Sequence, residues 1–577
     1  MKRIHADCVV GVFLCLVACQ TAPADWRVWT ATSTRRVLRD EPAGSDTSVR
    51  ISAARNEWES FQILMRCDAG VKAVTIKAGD LTGPEGALLQ ADDARLYRQH
   101  QLELTAGTYR NDRFKPGWYP DPLIPFKHPM TRKPLEQARL AAAPFDLPAE
   151  QTHGFWVDVY VPPGAQPGKY GGTYRVTTET GASIDIPVTL IIWDFTLRRV
   201  STLQTALGSP AGRMRSYYRQ RAKDGKEKEP SDWKAVEGQC AEMLTRHRIN
   251  ATPPPRSLAP VAQPDGSYRI PAEQIDKLRK FVDRYHVNAI QVPRPTNIVK
   301  DPEKQRDKLD AWLKSYSDAA AKLDRPHVTF YTYLKDEPND EEAYKFVQQW
   351  GRAIRRAGSV VKVMVVEQTW TEKGKGGADS QWGQLHGAVD IWCPLFCLFG
   401  PESAAKRQEL GEIIWTYTAL CQGKSPSPWW HIDYPLGNYR VPAWISWRYG
   451  IGGLLYWGGM SYWRQVEDPW SDPWTYGRPD RVYNGEGTLV YPGRAVGYEG
   501  IAPSLRLKAL RDSIEDYEYL SILQRLGLAD VALKVVKPLA KSWFDWEKDP
   551  SAYERARARL AAMIVAAGRQ DPPMEHL

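Results

Sequence analysis

His327-Val328-Thr329-Phe330-Tyr331-Thr332-Tyr333-Leu334-Lys335-Asp336-Glu337-Pro338 is the stretch on which the fold turns. From His327 to Leu334 it is rich in β-branched and aromatic side chains, as a strand requires. Asp340 to Ala357 carries apolar residues at helical spacing, and Val361 to Val366 reads as the next strand. Strand, helix and strand in that order make a parallel βα unit. The alternation recurs on both sides. Upstream, Ser201 to Leu207, Ile249 to Thr252 and Asn288 to Val292 read as strands, and Trp233 to His247, Ala272 to Tyr285 and Asp307 to Leu323 as helices. Downstream come strands at Val389 to Trp392, Ile413 to Tyr417 and Gly453 to Trp457, with a helix at Tyr439 to Tyr449. The pattern predicts an α/β fold, a (β/α)8 barrel over 200–500. Arg213 to Lys228 mixes both charge signs and reads as a solvated loop.

Residues 25–199 follow another period. Ser60 to Met65 and Gly154 to Val161 alternate apolar with polar, Pro167 to Gly172 is a turn, and Ile184 to Trp193 completes the set. An antiparallel β-sandwich is the fold this predicts. Lys115 to Leu123, rich in Pro and aromatics, reads as a rigid loop projecting from it. Beyond the barrel, Leu505, Leu507, Leu510, Ile514, Tyr517 and Leu520 recur at helical spacing, so 501–577 predicts a helical C-terminal region.

A chain of 577 residues exceeds what one core organises. Its net charge of +9 is scattered, with no basic stripe, which argues against a nucleic-acid partner. Lys2 and Arg3 precede an apolar run from Val9 to Ala18, too short to remain as a membrane span, so 1–24 reads as a signal peptide. Leu16-Val17-Ala18-Cys19 resembles a lipobox, which would anchor the chain to a membrane through a lipid on Cys19. Ala22-Pro23-Ala24 is the alternative cleavage site, with free release to the periplasm or medium of a bacterium. After the leader, Cys67, Cys240, Cys393, Cys397 and Cys421 are odd in number and lack zinc-ligand spacing. Buried free thiols are expected, one disulfide stays open, and no metal is implied.

In such a barrel the reacting groups sit where strands end. Asp336 and Glu337 end the fourth strand, and two neighbouring acids there are electrostatically costly unless they work. A raised pKa on one would make it a proton donor near neutral pH. Pro338 disfavours the helical region for Glu337, so the pair is expected to stay extended with its side chains pointing apart. The plain structural reading instead makes Asp336 the cap of the following helix and Glu337 a solvated side chain. The 23 Trp and 27 Tyr suit large cores or the C–H face of a pyranose equally.

Cleaving a glycosidic bond with two enzymic carboxylates needs them about 5–5.5 Å apart for retention or about 6.5–9.5 Å for inversion. The last three strand ends carry Trp392, Tyr417 and Trp457, leaving Glu367 and Asp433 as the available acids. That scarcity fits a substrate-assisted route. The 2-acetamido oxygen of an N-acetylhexosamine attacks its own anomeric carbon, Glu337 acts as acid and base, and Asp336 holds the acetamido N–H. No organic cofactor is needed. Two alternatives stand beside it: a glycosidase on a non-acetamido sugar that uses Asp433 or Glu367, and a non-catalytic exported sugar-binding protein. Trp392, Trp415, Tyr417 and Trp457 are candidate walls of the sugar site, and Asp433 is a candidate hydroxyl ligand. Gln368 and Trp370 are candidate acetamido contacts, while Tyr119 and Asp121 would descend from the sandwich.

Several segments resemble glycoside hydrolase family 123: Ala54 to Gln62, Trp118 to Leu123, Pro167 to Gly172, Asp336-Glu337, Gly452 to Trp457, and Arg511 to Leu520. The last of these resembles a C-terminal domain of unknown function that often accompanies such proteins. The resemblance implies a β-sandwich before a (β/α)8 barrel and retaining β-N-acetylgalactosaminidase activity on a terminal sugar. It carries over Asp336 as stabiliser and Glu337 as acid/base.

Overall fold

A computed structural model describes residues 26–253, 258–369, 380, 382–420, 422, 427–478 and 480–568. The leader, with Cys19, and Trp370 lie outside the described residues.

Two sheets face each other between Arg27 and Thr196. One orders the strands Arg27–Thr32, Glu57–Arg66, His153–Val161, Arg95–Leu104 and Gly117–Pro125. The other runs Val49–Arg55, Ser183–Thr196, Gly168–Thr177, Val71–Lys77 and Phe145–Leu147, with two short strands beside it. Alternate residues meet between the sheets: Phe61, Ile63, Phe155 and Val157 against Tyr174, Val176, Ile186 and Leu190. The sandwich is not wholly antiparallel, because Val49–Arg55 pairs in parallel with Ser183–Thr196. The expected Pro-rich loop is also a strand, Gly117–Pro125, paired with Arg95–Leu104. It ends the sheet order, where a proline's missing N–H breaks no ladder.

The barrel is a parallel sheet of seven strands, ordered Gln204–Ala206, Gly453–Tyr456, Ile413–Thr418, Ile391–Trp392, Lys362–Val366, Thr329–Asp336 and Ala289–Val292. The sequence pattern predicts an eighth at Ile249 to Thr252. Among the described residues no ladder forms there, because a side chain replaces it. Asn250 Nδ2 donates to the Thr205 carbonyl at 3.0 Å and to Asn288 Oδ1 at 2.7 Å, and Asn250 Oδ1 accepts from Asn288 N at 3.0 Å. Those bonds tie the two edge strands of the barrel together.

Arg213 to Lys228, read as a loop, is mostly helix: Pro210–Lys223 buries Met214, Tyr217 and Tyr218 beneath its charges. The helix Leu505–Arg525 is buried on every side from Leu505 to Leu523. It lies between the barrel helix Gly437–Arg448 and the sandwich, so its polar positions meet partners rather than water. Lys508 reaches Asp158 at 2.6 Å, and Arg506 reaches Asp121 at 2.9 Å. The terminal helices Ala529–Leu539 and Pro550–Ala566 pack against it. Cys67, Cys240 and Cys393 are buried and Cys397 is half-buried.

Candidate active site

The strand Thr329–Asp336 does not run evenly into its end. Its register against Lys362–Val366 shifts between Tyr333 and Lys335, so Leu334 is an extra residue opposite the neighbouring strand. A bulge of this kind re-aims the side chains that follow. Glu337 then takes a φ of 39°, the left-handed region, rather than the extended form expected before Pro338. An L-residue held there costs on the order of 1–3 kcal/mol, and such strain gathers where function requires it. The helix that follows is capped by Asp340, whose Oδ1 accepts from Ala343 N at 2.7 Å. Asp336 is therefore free of capping duty.

Each acid has its own tyrosine. Tyr333 Oη donates to Asp336 Oδ1 at 2.6 Å, and Tyr417 Oη donates to Glu337 Oε1. Burial first, then the Asp336 charge, push the Tyr333 phenol far above its usual range, so it remains a donor at any working pH. Both acids are exposed and both line a cavity of about 640 Å³. Tyr333, Tyr417, Trp457 and Arg478 line it with them. Its size falls within the range of about 300–1,000 Å³ usual for ligand pockets. Among its described lining residues Asp336 and Glu337 are the only carboxylates.

Behind Glu337 and Tyr417 lies a smaller cavity of about 240 Å³, lined also by Glu367 and Gln368. Glu367 is 8% exposed, and burial followed by the repulsion of Glu337 pushes it up to about 7, against hydrogen bonds from Gln368 N and Tyr344. A carboxyl that binds its proton more tightly folded than unfolded stabilises fully below about 4.5, and that contribution is lost as pH rises through about 7. At about 1.4 kcal/mol per unit of pKa, the loss is on the order of 3 kcal/mol. Glu367→Gln is therefore expected to gain stability relative to the parent between pH 5 and pH 8. Urea unfolding at the two values checks this, and a difference independent of pH would refute it.

The other expected site residues divide by strand alternation and by seam. Tyr417 and Trp457 line the main cavity. Trp457 Nε1 donates to Glu486, which also holds His431 at 2.6 Å. Trp415 shares the inward face with Tyr417 but sits a layer deeper, edge-on to Tyr331 at 5.3 Å, and is core. Trp392 points outward and donates to Glu412 at 2.7 Å. Gln368 lines only the smaller cavity. Asp433 is not among the residues lining either cavity: it accepts from Thr108 N at 2.7 Å and Thr108 Oγ1 at 2.6 Å, pinning sandwich to barrel. Asp121 is likewise a seam residue, fully buried against Arg506 and Arg36. Tyr119 is buried with its hydroxyl on the Lys115 carbonyl at 2.7 Å. Tyr333 and Arg478 are the additions. Tyr333 was signalled by its place in the opening stretch, three residues before Asp336, whereas nothing along the chain marks Arg478.

Two family models bear on this geometry. Residues 29–178 match the N-terminal domain of glycoside hydrolase 123, and residues 302–523, which include both acids, match its catalytic domain. The chain belongs to glycoside hydrolase family 123. It is a glycoside hydrolase. The fold of this family 123 enzyme is similar to that of a family 123 glycoside hydrolase from Clostridium perfringens, whose hydrolysis of glycolipid glycans has been described. The two share 13% identity at a TM-score of 0.61, over 94% of this chain and 98% of the other. A family 39 glycoside hydrolase from Bacteroides cellulosilyticus WH2 aligns at 10% identity over 83% of this chain and 82% of the other, with a TM-score of 0.31. No curated protein matches the chain.

Proposed function

We propose that this family 123 enzyme is a retaining, exo-acting β-N-acetylgalactosaminidase that uses the substrate's own acetamido group as nucleophile. The observation that carries the reading is the carboxylate content of the main cavity: two adjacent acids, each held by a separate tyrosine, and no third among the described residues. Asp336, oriented by Tyr333, accepts the acetamido N–H and turns its carbonyl oxygen onto the anomeric carbon. Glu337 donates its proton to the glycosidic oxygen as the C–O bond breaks, leaving an oxazolinium. The Glu337 carboxylate then takes a proton from the water that opens this ring, and the sugar leaves with its configuration retained. Glycans of the class named for the Clostridium perfringens enzyme are the substrates we favour, trimmed outside the cytoplasm after export by the leader over 1–24. The mass of the mature N-terminus distinguishes a lipid on Cys19 from cleavage before Asp25.

Asp336→Asn removes the negative charge and replaces one of the two acceptor oxygens with a donor, while keeping the shape. Its kcat on an aryl β-N-acetylgalactosaminide is expected to fall about 10²–10³-fold, the usual cost of losing one group that stabilises developing charge. Inhibition by a thiazoline that mimics the oxazolinium should weaken with it. One observation favours a second reading, namely that Glu367 shares the smaller cavity with Glu337. Turnover of a 2-hydroxy glycoside, indifferent to the thiazoline, would transfer the second role to Glu367.

A further inference from the structure

Opposite the active site, sandwich and barrel enclose a second cleft of about 310 Å³. Its barrel side comes from Arg199, Arg246, Arg248 and His286. Arg199 precedes the strand Gln204–Ala206, and His286 precedes Ala289–Val292. These are the N-terminal ends of barrel strands, whereas Asp336 ends its strand at the C-terminal mouth. The sandwich side supplies Arg95 together with Trp58 and Tyr160, whose rings pack at 4.9 Å between centroids with a tilt of 35°.

The charge here is not balanced. Four arginines line the cleft against one carboxylate, Asp93, beside His286, whose pKa is held low by burial and then by the charge of Arg199. Arg248 pairs with the buried Glu515 at 3.2 Å. Arg246 gives one N–H to the Pro129 carbonyl at 2.7 Å, and Arg95 gives its own to the carbonyls of Asp92 and Asp93. Arg199 makes no hydrogen bond or ion pair with the described residues. Carbonyl contacts satisfy donors and hold the domain seam, but they leave the guanidinium charges uncompensated. Arg132 adds to the excess: burial, then repulsion from Arg132, bring Arg95 down to about 10. A protein that only needed a seam would place opposite charges across it, as this one does at Arg506–Asp121 and Lys508–Asp158.

We propose that this cleft is a second carbohydrate site, which takes an acidic sugar bearing a carboxylate or sulfate. The guanidinium groups match planar and tetrahedral oxyanions, the paired rings offer an apolar wall for a pyranose, and the cavity is larger than one inorganic ion needs. The inference rests on family membership and not on the substrate-assisted mechanism. It would let the enzyme hold an acidic branch of a glycan while the far mouth removes a terminal residue.

Calorimetric titration of the full chain at low ionic strength tests it. The probe is a heparin-derived disaccharide that carries uronate and sulfate but no N-acetyl group, compared with inorganic sulfate and with vesicles of phosphatidylserine and phosphatidylcholine. The expected result is one disaccharide site, weakened about tenfold by Arg199→Glu, in a variant whose melting curve overlays the parent, and by Arg246→Ala. Should Arg246→Ala unfold, Arg199→Glu alone decides. Absence of binding, equal binding in Arg199→Glu, sulfate binding as tightly as the disaccharide, or vesicles binding in its place would each overturn the proposal. Because binding rather than hydrolysis is read, failure here leaves the active-site reading intact.

Discussion

Glu337→Gln is expected to lower kcat by about 10³–10⁴-fold on an aryl β-N-acetylgalactosaminide, the upper part of the range for losing a general acid and base. The amide is isosteric and can still accept the Tyr417 hydroxyl, so the loop geometry should persist while the transferable proton is gone. The defect should grow with the basicity of the leaving group, since a dinitrophenolate departs with little protonation and a simple alcohol cannot. Initial rates across a series of aryl and alkyl glycosides measure that slope. Near-parental turnover of an unactivated glycoside would remove Glu337 from the mechanism.

Arg557→Ala is expected to destabilise the fold by about 3–5 kcal/mol, as is usual when a buried ion pair loses one partner. Arg557 is 1% exposed and meets Glu57 at 3.1 Å, Glu59 at 2.7 Å and Asp516 at 2.6 Å. Without it three carboxylates remain in the interior with less cation than they need. Burial already pushes Glu57 up to about 7 against the pull of Arg557, and Glu59 well above the carboxylate range. Losing the arginine raises both further, so the folded state favours their protonated forms more strongly. Acids raised in this way lose their stabilising contribution as pH climbs through the folded value. The variant should therefore suffer more at pH 8 than at pH 5. Denaturant unfolding at both pH values decides the matter, and a small deficit that does not change with pH would count against it.

This cluster also shows what two of the resemblance segments do. Ala54 to Gln62 supplies Glu57 and Glu59, and Arg511 to Leu520 supplies Asp516 and Tyr519, whose hydroxyl bonds Glu57 at 2.5 Å. Hundreds of residues apart in the chain, they form one interior joint between sandwich, barrel and terminal helices. Read along the chain, the second segment is a helix with an apolar stripe. In the fold its polar positions are as buried as the apolar ones, because each found a partner on another element.

Periodicity was enough for the elements around the acids. The strand, helix and strand at Thr329–Asp336, Glu341–Arg356 and Lys362–Val366 fall within about two residues of the ranges read from spacing, since a half-buried element repeats its pattern over neighbouring residues. The choice of Asp336 and Glu337 was equally local, resting on two charges placed where a strand must end. Long-range contacts carried the rest. Asn250 closing a barrel edge with its side chain, Tyr417 reaching Glu337, Asp433 held by Thr108 and Asp121 held by Arg506 each join residues far apart in the chain. Adjacent side chains constrain one another through backbone geometry, which leaves a periodic trace in the sequence. A buried charge is constrained by whatever cation the fold brings to it, and no spacing along the chain records that partner.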